Sequence, residues 1–182
     1  MRIRAAHVDE LPLLQDIEQA ADASFRDVGM PEIATGDVLP LNELNRYHQA
    51  GLAWVAVDRA DAPVAYLVAI HVDGNLHIEQ VSVHPGSARR GIGRLLIDHL
   101  AEHARTTGIP ALTLTTFTET PWNAPYYARL GFQHLTENEL TPGLRDIRQR
   151  EAARGLDRWP RTSMRRAVPG VDSRSTLLTV TA

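Results

Sequence analysis

The chain has 182 residues, 43% of them hydrophobic, and a formal net charge of −3. That is enough apolar material for one folded domain, and it excludes a disordered chain and any bulk attraction to nucleic acid. The absence of cysteine excludes disulfides, a thiolate nucleophile and a cysteine-based metal site.

The first predicted element is a short strand over Arg2 to Val8. Asp9 then caps a helix with Pro12 in its first turn and an apolar stripe of Leu13, Leu14, Ile17, Ala20 and Ala21. That helix fades near Phe25. Residues 26–40 are rich in Gly and Pro and carry Asp27, Glu32 and Asp37. A second helix over 41–50 is stopped by Gly51. Strands follow at 52–57, 64–72 and 76–83, the last two joined by the hairpin turn Asp73-Gly74-Asn75.

Pro85 and Gly86 end the third of these strands. A basic, glycine-punctuated loop, Arg89-Arg90-Gly91-Ile92-Gly93-Arg94, then runs into an amphipathic helix. Leu95, Leu96, Leu100 and Ala104 form its apolar side, and Arg94, Asp98, Glu102 and Arg105 its wetter side. Gly108 and Pro110 close it. Next come a strand over Ala111 to Phe117, expected to lie parallel to the Leu76 strand, and a short helix from Pro121 to Gly131. A strand at 132–135, a charged helix at 144–153 and a strand at 162–168 complete a domain spanning 1–168. Residues 169–182 form a tail whose LLTVT stretch is expected to pair as a strand or meet a partner. The fold class is a mixed α/β layout around one sheet.

A helix start leaves its first N–H groups unpaired and carries partial positive charge. Glycines at 91 and 93 remove side chains that would keep an anion away, and Arg89, Arg90 and Arg94 add charge. The loop therefore suits a phosphate or pyrophosphate, the competing reading being a tight turn with solvated arginines.

The strand LHIEQVSVHP, this loop and the later NAPYYARLGF together resemble the GNAT superfamily of acyl-CoA-dependent N-acetyltransferases. The likeness is specific over about residues 75–133 and looser over 1–168. The family's loop reads Gln/Arg-x-x-Gly-x-Gly/Ala; here the first position is Ala88, a departure that removes one side-chain contact and leaves the backbone cradle. The resemblance implies a β-α-α-β-β-β-α-β-α-β-β order, with central parallel strands that splay around acetyl-CoA.

It also implies roles. The backbone of Val81, Ser82 and Val83 would meet the thioester carbonyl and pantetheine arm, and residues Arg89, Arg90, Gly91, Ile92, Gly93 and Arg94 the pyrophosphate. Asn123, Tyr127 and Gly131-Phe132 fit the family's later motif. Asn123 would hydrogen-bond the pantetheine arm, and Tyr127 would protonate the coenzyme A thiolate, with Tyr126 as its rival about 100° around the helix. Glu79, mid-strand among apolar neighbours, is the candidate base, and His84 the alternative.

The implied activity is acetyl transfer to a primary amine on a small molecule, peptide or protein, by direct attack in a ternary complex. The alternative is an acyl-CoA-binding sensor without turnover. No nucleotide-binding fingerprint is complete, and the Arg-rich 145–166 segment is broken by Asp146, Glu151 and Asp157, as in a salt-bridged helix face. His71, Asp73 and His77 lack a metal motif, so no metal is expected. Family analogy suggests a homodimer. No stretch reaches the roughly 18 apolar residues of a membrane span, and the N-terminus lacks an apolar signal core, so the expected location is the cytoplasm.

Overall fold

The computed structural model describes residues 1–171; the expectation for the LLTVT stretch lies outside the described residues. The strands are β1 (Arg2–Ala5), β2 (Ala53–Val57), β3 (Pro63–Val72), β4 (Asn75–Val83), β5 (Ala111–Phe117), β6 (Gln133–His134) and β7 (Arg161–Ala167). The α-helices are α1 (Leu11–Asp22), α2 (Pro31–Ala34), α3 (Leu41–Gln49), α4 (Ile92–Thr106), α5 (Ala124–Arg129) and α6 (Pro142–Ala153). They build a mixed α/β fold around a seven-stranded mixed sheet of order β1-β2-β3-β4-β5-β7-β6. One helix was not expected, α2 within the Gly/Pro-rich connection, while α6 is the charged helix expected at 144–153 and begins two residues earlier.

Two compact units share this chain: residues 1–70 with 78–99, and residues 71–77 with 100–171. In the first, β1, β2 and β3 pair antiparallel, with Arg2 opposite Val57 and Ala53 opposite Val68. Their inner face and two helices enclose Leu11, Leu14, Ile17, Leu44, Val55, Tyr66 and Val68.

The first strand is shorter than expected, because residues 8–10 wind into a 3-10 turn. The stripe of α1 runs through Leu11, Leu14 and Glu18, while Leu13 is exposed, since two positions place it about 200° from Leu11. The same geometry corrects α4. Leu96, Ile97, Leu100 and Ala104 are buried, and Leu95 is 46% exposed.

In the second unit β7 pairs antiparallel with β5 and with β6, running from Ala111 opposite Ala167 to Phe117 opposite Arg161. Leu112, Leu114, Met164, Leu144 and Ile147 are buried. Gly143 at the start of α6 is required by space: a Cβ there would come within 2.7 Å of Val72 Cγ1, and its N–H donates to Asp73 at 2.8 Å.

Two arginines of the 145–166 segment, Arg148 and Arg161, pair with its acids. Arg161 meets Glu151 at 2.7 Å, Glu151 meets Arg148 at 2.8 Å, and Arg148 meets Asp157 at 2.9 Å. The Arg161 guanidinium also lies 4.5 Å from the centre of the Phe117 ring.

Candidate active site

The residues expected to carry chemistry fall into two groups, one in each unit. In the first unit, alternation along β4 puts Glu79, Val81 and Val83 on one face, all half-buried. Ser82 points the other way and is buried; its hydroxyl accepts from Gln80 Nε2 at 2.9 Å. Its side chain is used internally, so only its backbone is left for a ligand. His84 is a turn residue: its Nδ1 accepts the Gly86 N–H at 3.2 Å. That bond occupies one of its ring nitrogens.

The loop after β4 has the geometry its glycines require. Arg89 sits at φ +59° and Gly91 at φ +74°, so the chain turns left-handed twice before α4. A Cβ on Gly91 would point into open space. The Gly91 carbonyl takes the Leu95 N–H at 3.1 Å as the first bond of the helix. The N–H groups of Ile92, Gly93 and Arg94 therefore precede the ladder and have no acceptor among the described residues.

Arg89 and Arg90 are exposed and form no ion pair among the described residues; Arg94 meets Asp98 at 3.4 Å on the surface. Ile92 buries its side chain, so it offers only its N–H. This cradle fits a pyrophosphate: three free donors, a helix N-terminus and three cations. Arg90 and Ile92 also border an open cleft of about 680 Å³ with Ser87, Val64 and Leu95.

The first unit also holds a buried acidic group that was not expected. Glu18 is only 6% exposed, accepts the Tyr66 hydroxyl at 2.7 Å and the Leu39 N–H at 3.1 Å. Burial, with the Glu18 charge adding to it, pushes the Asp22 carboxyl up to about 7. Tyr47 is held protonated by burial first, then by Glu79 and Glu43. The signal was present: an acid at position 18 inside the apolar stripe of α1.

In the second unit, α5 is a six-residue helix with Asn123 just ahead of it. The Asn123 amide donates to Thr116 Oγ1 at 2.7 Å. Tyr127 packs edge-on against Tyr126 at 5.5 Å and Phe132 at 5.8 Å. Its hydroxyl has no hydrogen-bond partner among the described residues, and burial pushes its pKa up, with Tyr126 adding to the effect. Tyr126 instead faces Arg129, 5.9 Å from its ring centre. A hollow of about 590 Å³, lined by Gln133, Glu139 and Arg165, lies elsewhere in this unit, and none of these groups lines it.

A family model described as acetyltransferase (GNAT) family matches residues 14–132. The chain belongs to that family.

Solved structures agree on the fold of this GNAT acetyltransferase. The ribosomal-protein-S18-alanine N-acetyltransferase from Escherichia coli is 19% identical, with a TM-score of 0.64, 95% of this chain covered and 97% of that one. Naa20 from Chaetomium thermophilum, in complex with a bisubstrate analogue, is 16% identical, with a TM-score of 0.64 and coverages of 92% and 87%. N-acetylglutamate synthase from Neisseria gonorrhoeae, complexed with coenzyme A and N-acetyl-glutamate, is 17% identical with a TM-score of 0.67. There the match covers 92% of this chain and 35% of the synthase.

No helix among the described residues of the GNAT chain is long and apolar enough to cross a membrane. No group of three or more His, Asp or Glu among them is arranged to hold a metal ion.

Proposed function

We propose that this acetyltransferase moves an acetyl group from acetyl-CoA to a primary amine, by direct attack in a ternary complex in the cytoplasm. The observation that carries the reading is the start of α4, where Gly91 at φ +74° leaves three N–H groups without acceptors in a GNAT chain. Those donors with Arg89, Arg90 and Arg94 hold the pyrophosphate. The backbone of Val81, Ser82 and Val83 serves the pantetheine arm, and Asn123 keeps its Oδ1 for the same arm. Bound acetyl-CoA supplies the activated thioester: the amine nitrogen bonds to the acetyl carbon, the C–S bond breaks, and coenzyme A leaves as the thiol.

Glu79 takes the proton that the amine sheds, directly or through a water. Tyr127 stays protonated because burial raises its pKa, so it is always available as a donor. A thiol has a pKa of about 8.5, well below the raised pKa of Tyr127. Tyr127 therefore stabilises the departing thiolate by a hydrogen bond and passes its proton to it as solvent water restores one to the phenolate. Glu79, Glu43 and Glu18 all act on Tyr47 against the single opposing charge of Arg46, an excess of carboxylates that supports a cationic amine as the acceptor.

The test is release of free coenzyme A from acetyl-CoA, followed with a thiol reagent against a panel of amines; a chain without cysteine adds no background. Amine-dependent release is expected, with the acid limb of its pH profile flattened by Glu79→Gln. No release, with coenzyme A still raising the melting temperature, would turn the reading to the acyl-CoA-binding sensor. Neither release nor a thermal shift would overturn the cofactor site itself.

A further inference from the structure

Helix α5 is too short to hold itself. Isolated helices below about 12 residues are marginal in water, and α5 has six residues with Pro125 in its first turn. Its orientation must come from what it is tied to. Asn123 stands at the N-cap, where an asparagine ordinarily accepts a backbone N–H from the first turn. Here it makes no such side-chain cap bond. Its amide reaches back to β5 instead and donates to Thr116 Oγ1 at 2.7 Å.

The same residue holds the helix through its backbone. The Asn123 carbonyl accepts the Tyr126 N–H at 2.9 Å and the Tyr127 N–H at 3.0 Å. One continuous line of bonds thus runs from the β5 hydroxyl to the Tyr127 main chain. At the far side, the Phe132 N–H bonds to the Tyr127 carbonyl at 3.1 Å. Thr116 is 4% exposed, so its hydroxyl is shielded from water, which would otherwise compete for the Asn123 amide.

We propose that Thr116 is a positioning residue: its hydroxyl fixes Asn123, and Asn123 sets where α5 begins and which way Tyr127 faces. The inference rests on Tyr127 as the donor to the leaving thiolate. Thr116→Val keeps the volume and removes the acceptor, leaving the Asn123 amide to find another.

Turnover of acetyl-CoA, with an amine that supports it, is expected to fall roughly 10- to 100-fold in kcat, the scale of an ångström-level misplacement. Coenzyme A affinity falls far less than kcat, because the cradle at α4 is untouched and only the one contact of Asn123 with the pantetheine arm is disturbed. Thr116→Ser keeps the hydroxyl and restores most of the rate. Independently of turnover, amide exchange at Tyr126 and Tyr127 rises about tenfold in the Val variant, since both N–H groups hang on Asn123.

Wild-type kcat in Thr116→Val, a Ser variant as slow as the Val one, or coenzyme A affinity falling in step with kcat would each overturn the proposal. If the Val variant melts too low to assay, Asn123→Asp carries the test, replacing the amide donor at constant size; wild-type exchange and rate there overturn it equally. A wild-type chain that never turns over sinks the functional reading alone, and the exchange measurement still decides whether Thr116 holds α5.

Discussion

The Glu18 carboxylate on α1 accepts the Tyr66 hydroxyl of β3 at 2.7 Å, and both groups are buried. A carboxylate so far from water must be compensated by donors, and the Leu39 N–H supplies another at 3.1 Å. Gln15, one turn earlier on α1, donates to the Leu39 carbonyl at 2.8 Å. Two side chains of one helix therefore clamp both polar groups of a single residue in the connection that leads to α3.

Removing one donor from this arrangement leaves charge behind. Tyr66→Phe is expected to destabilise the protein by about 1–3 kcal/mol, because the Glu18 carboxylate stays buried with one partner fewer. Glu18→Gln removes the charge and makes the loss of Tyr66 cheaper, so the double variant costs less than the sum of the singles. Urea unfolding of all four proteins at one pH measures this. Additive costs would mean that the two side chains act independently.

His77 predicts a pH dependence. It is 2% exposed on β4, with Nδ1 3.0 Å from Thr113 Oγ1. Burial pushes its pKa down to about 4, with Arg150 pushing the same way and Glu151 opposing. The unfolded chain takes the proton near pH 6.5 and the folded chain only near 4. Stability from this residue is therefore complete above 6.5 and lost as pH falls toward 4, by at most about 3 kcal/mol. Asp22 runs the other way: its raised pKa of about 7 contributes stability that is lost as pH rises from about 4 to 7. The wild-type curve mixes the two, so the difference between wild type and His77→Gln is the quantity to follow by urea unfolding at pH 7.5, 6 and 5. His77→Gln should gain on wild type as the pH drops; parallel curves would remove His77 from the acid response.

How much of this was legible depended on whether the signal was local. The loop at 89–94 could be read because positive φ is demanded of Gly91 by the turn itself, and α4 begins where the periodicity says. Strands β2 to β5 followed from alternation and their turns. Glu18 was not legible as a partner of Tyr66, because the two lie 48 positions apart and only packing joins them. The same holds for Thr116, which reads as an ordinary strand residue until α5 is folded back onto it. Leu95 looked apolar enough to be core, yet it sits beside the buried row of α4 rather than in it.

Gly91→Glu tests the cradle. The left-handed φ of +74° disfavours any side chain by roughly 1–2 kcal/mol, and open space around the position means that the cost is backbone strain, not a clash. The carboxylate would stand where the pyrophosphate is proposed to sit. Coenzyme A binding, followed by calorimetry, is expected to disappear, while Gly91→Ala should pay the strain and keep most of the affinity. A Glu variant that binds coenzyme A as wild type does would place the pyrophosphate elsewhere.

The two neighbouring tyrosines give the sharpest test of the reaction. Tyr127 has a hydroxyl with no partner among the described residues, whereas Tyr126 stacks near Arg129. Tyr127→Phe is expected to lower kcat about 10- to 1,000-fold with little change in coenzyme A affinity, because only the hydrogen bond to the departing sulfur is lost. The loss should be smaller for acyl thioesters with more acidic leaving thiols, since a thiolate that is already stable needs less help. Tyr126→Phe should leave kcat near wild type. If Tyr126→Phe is the slow variant instead, the face of α5 that serves the thiolate lies one residue around the helix, and Tyr127 is the packing residue.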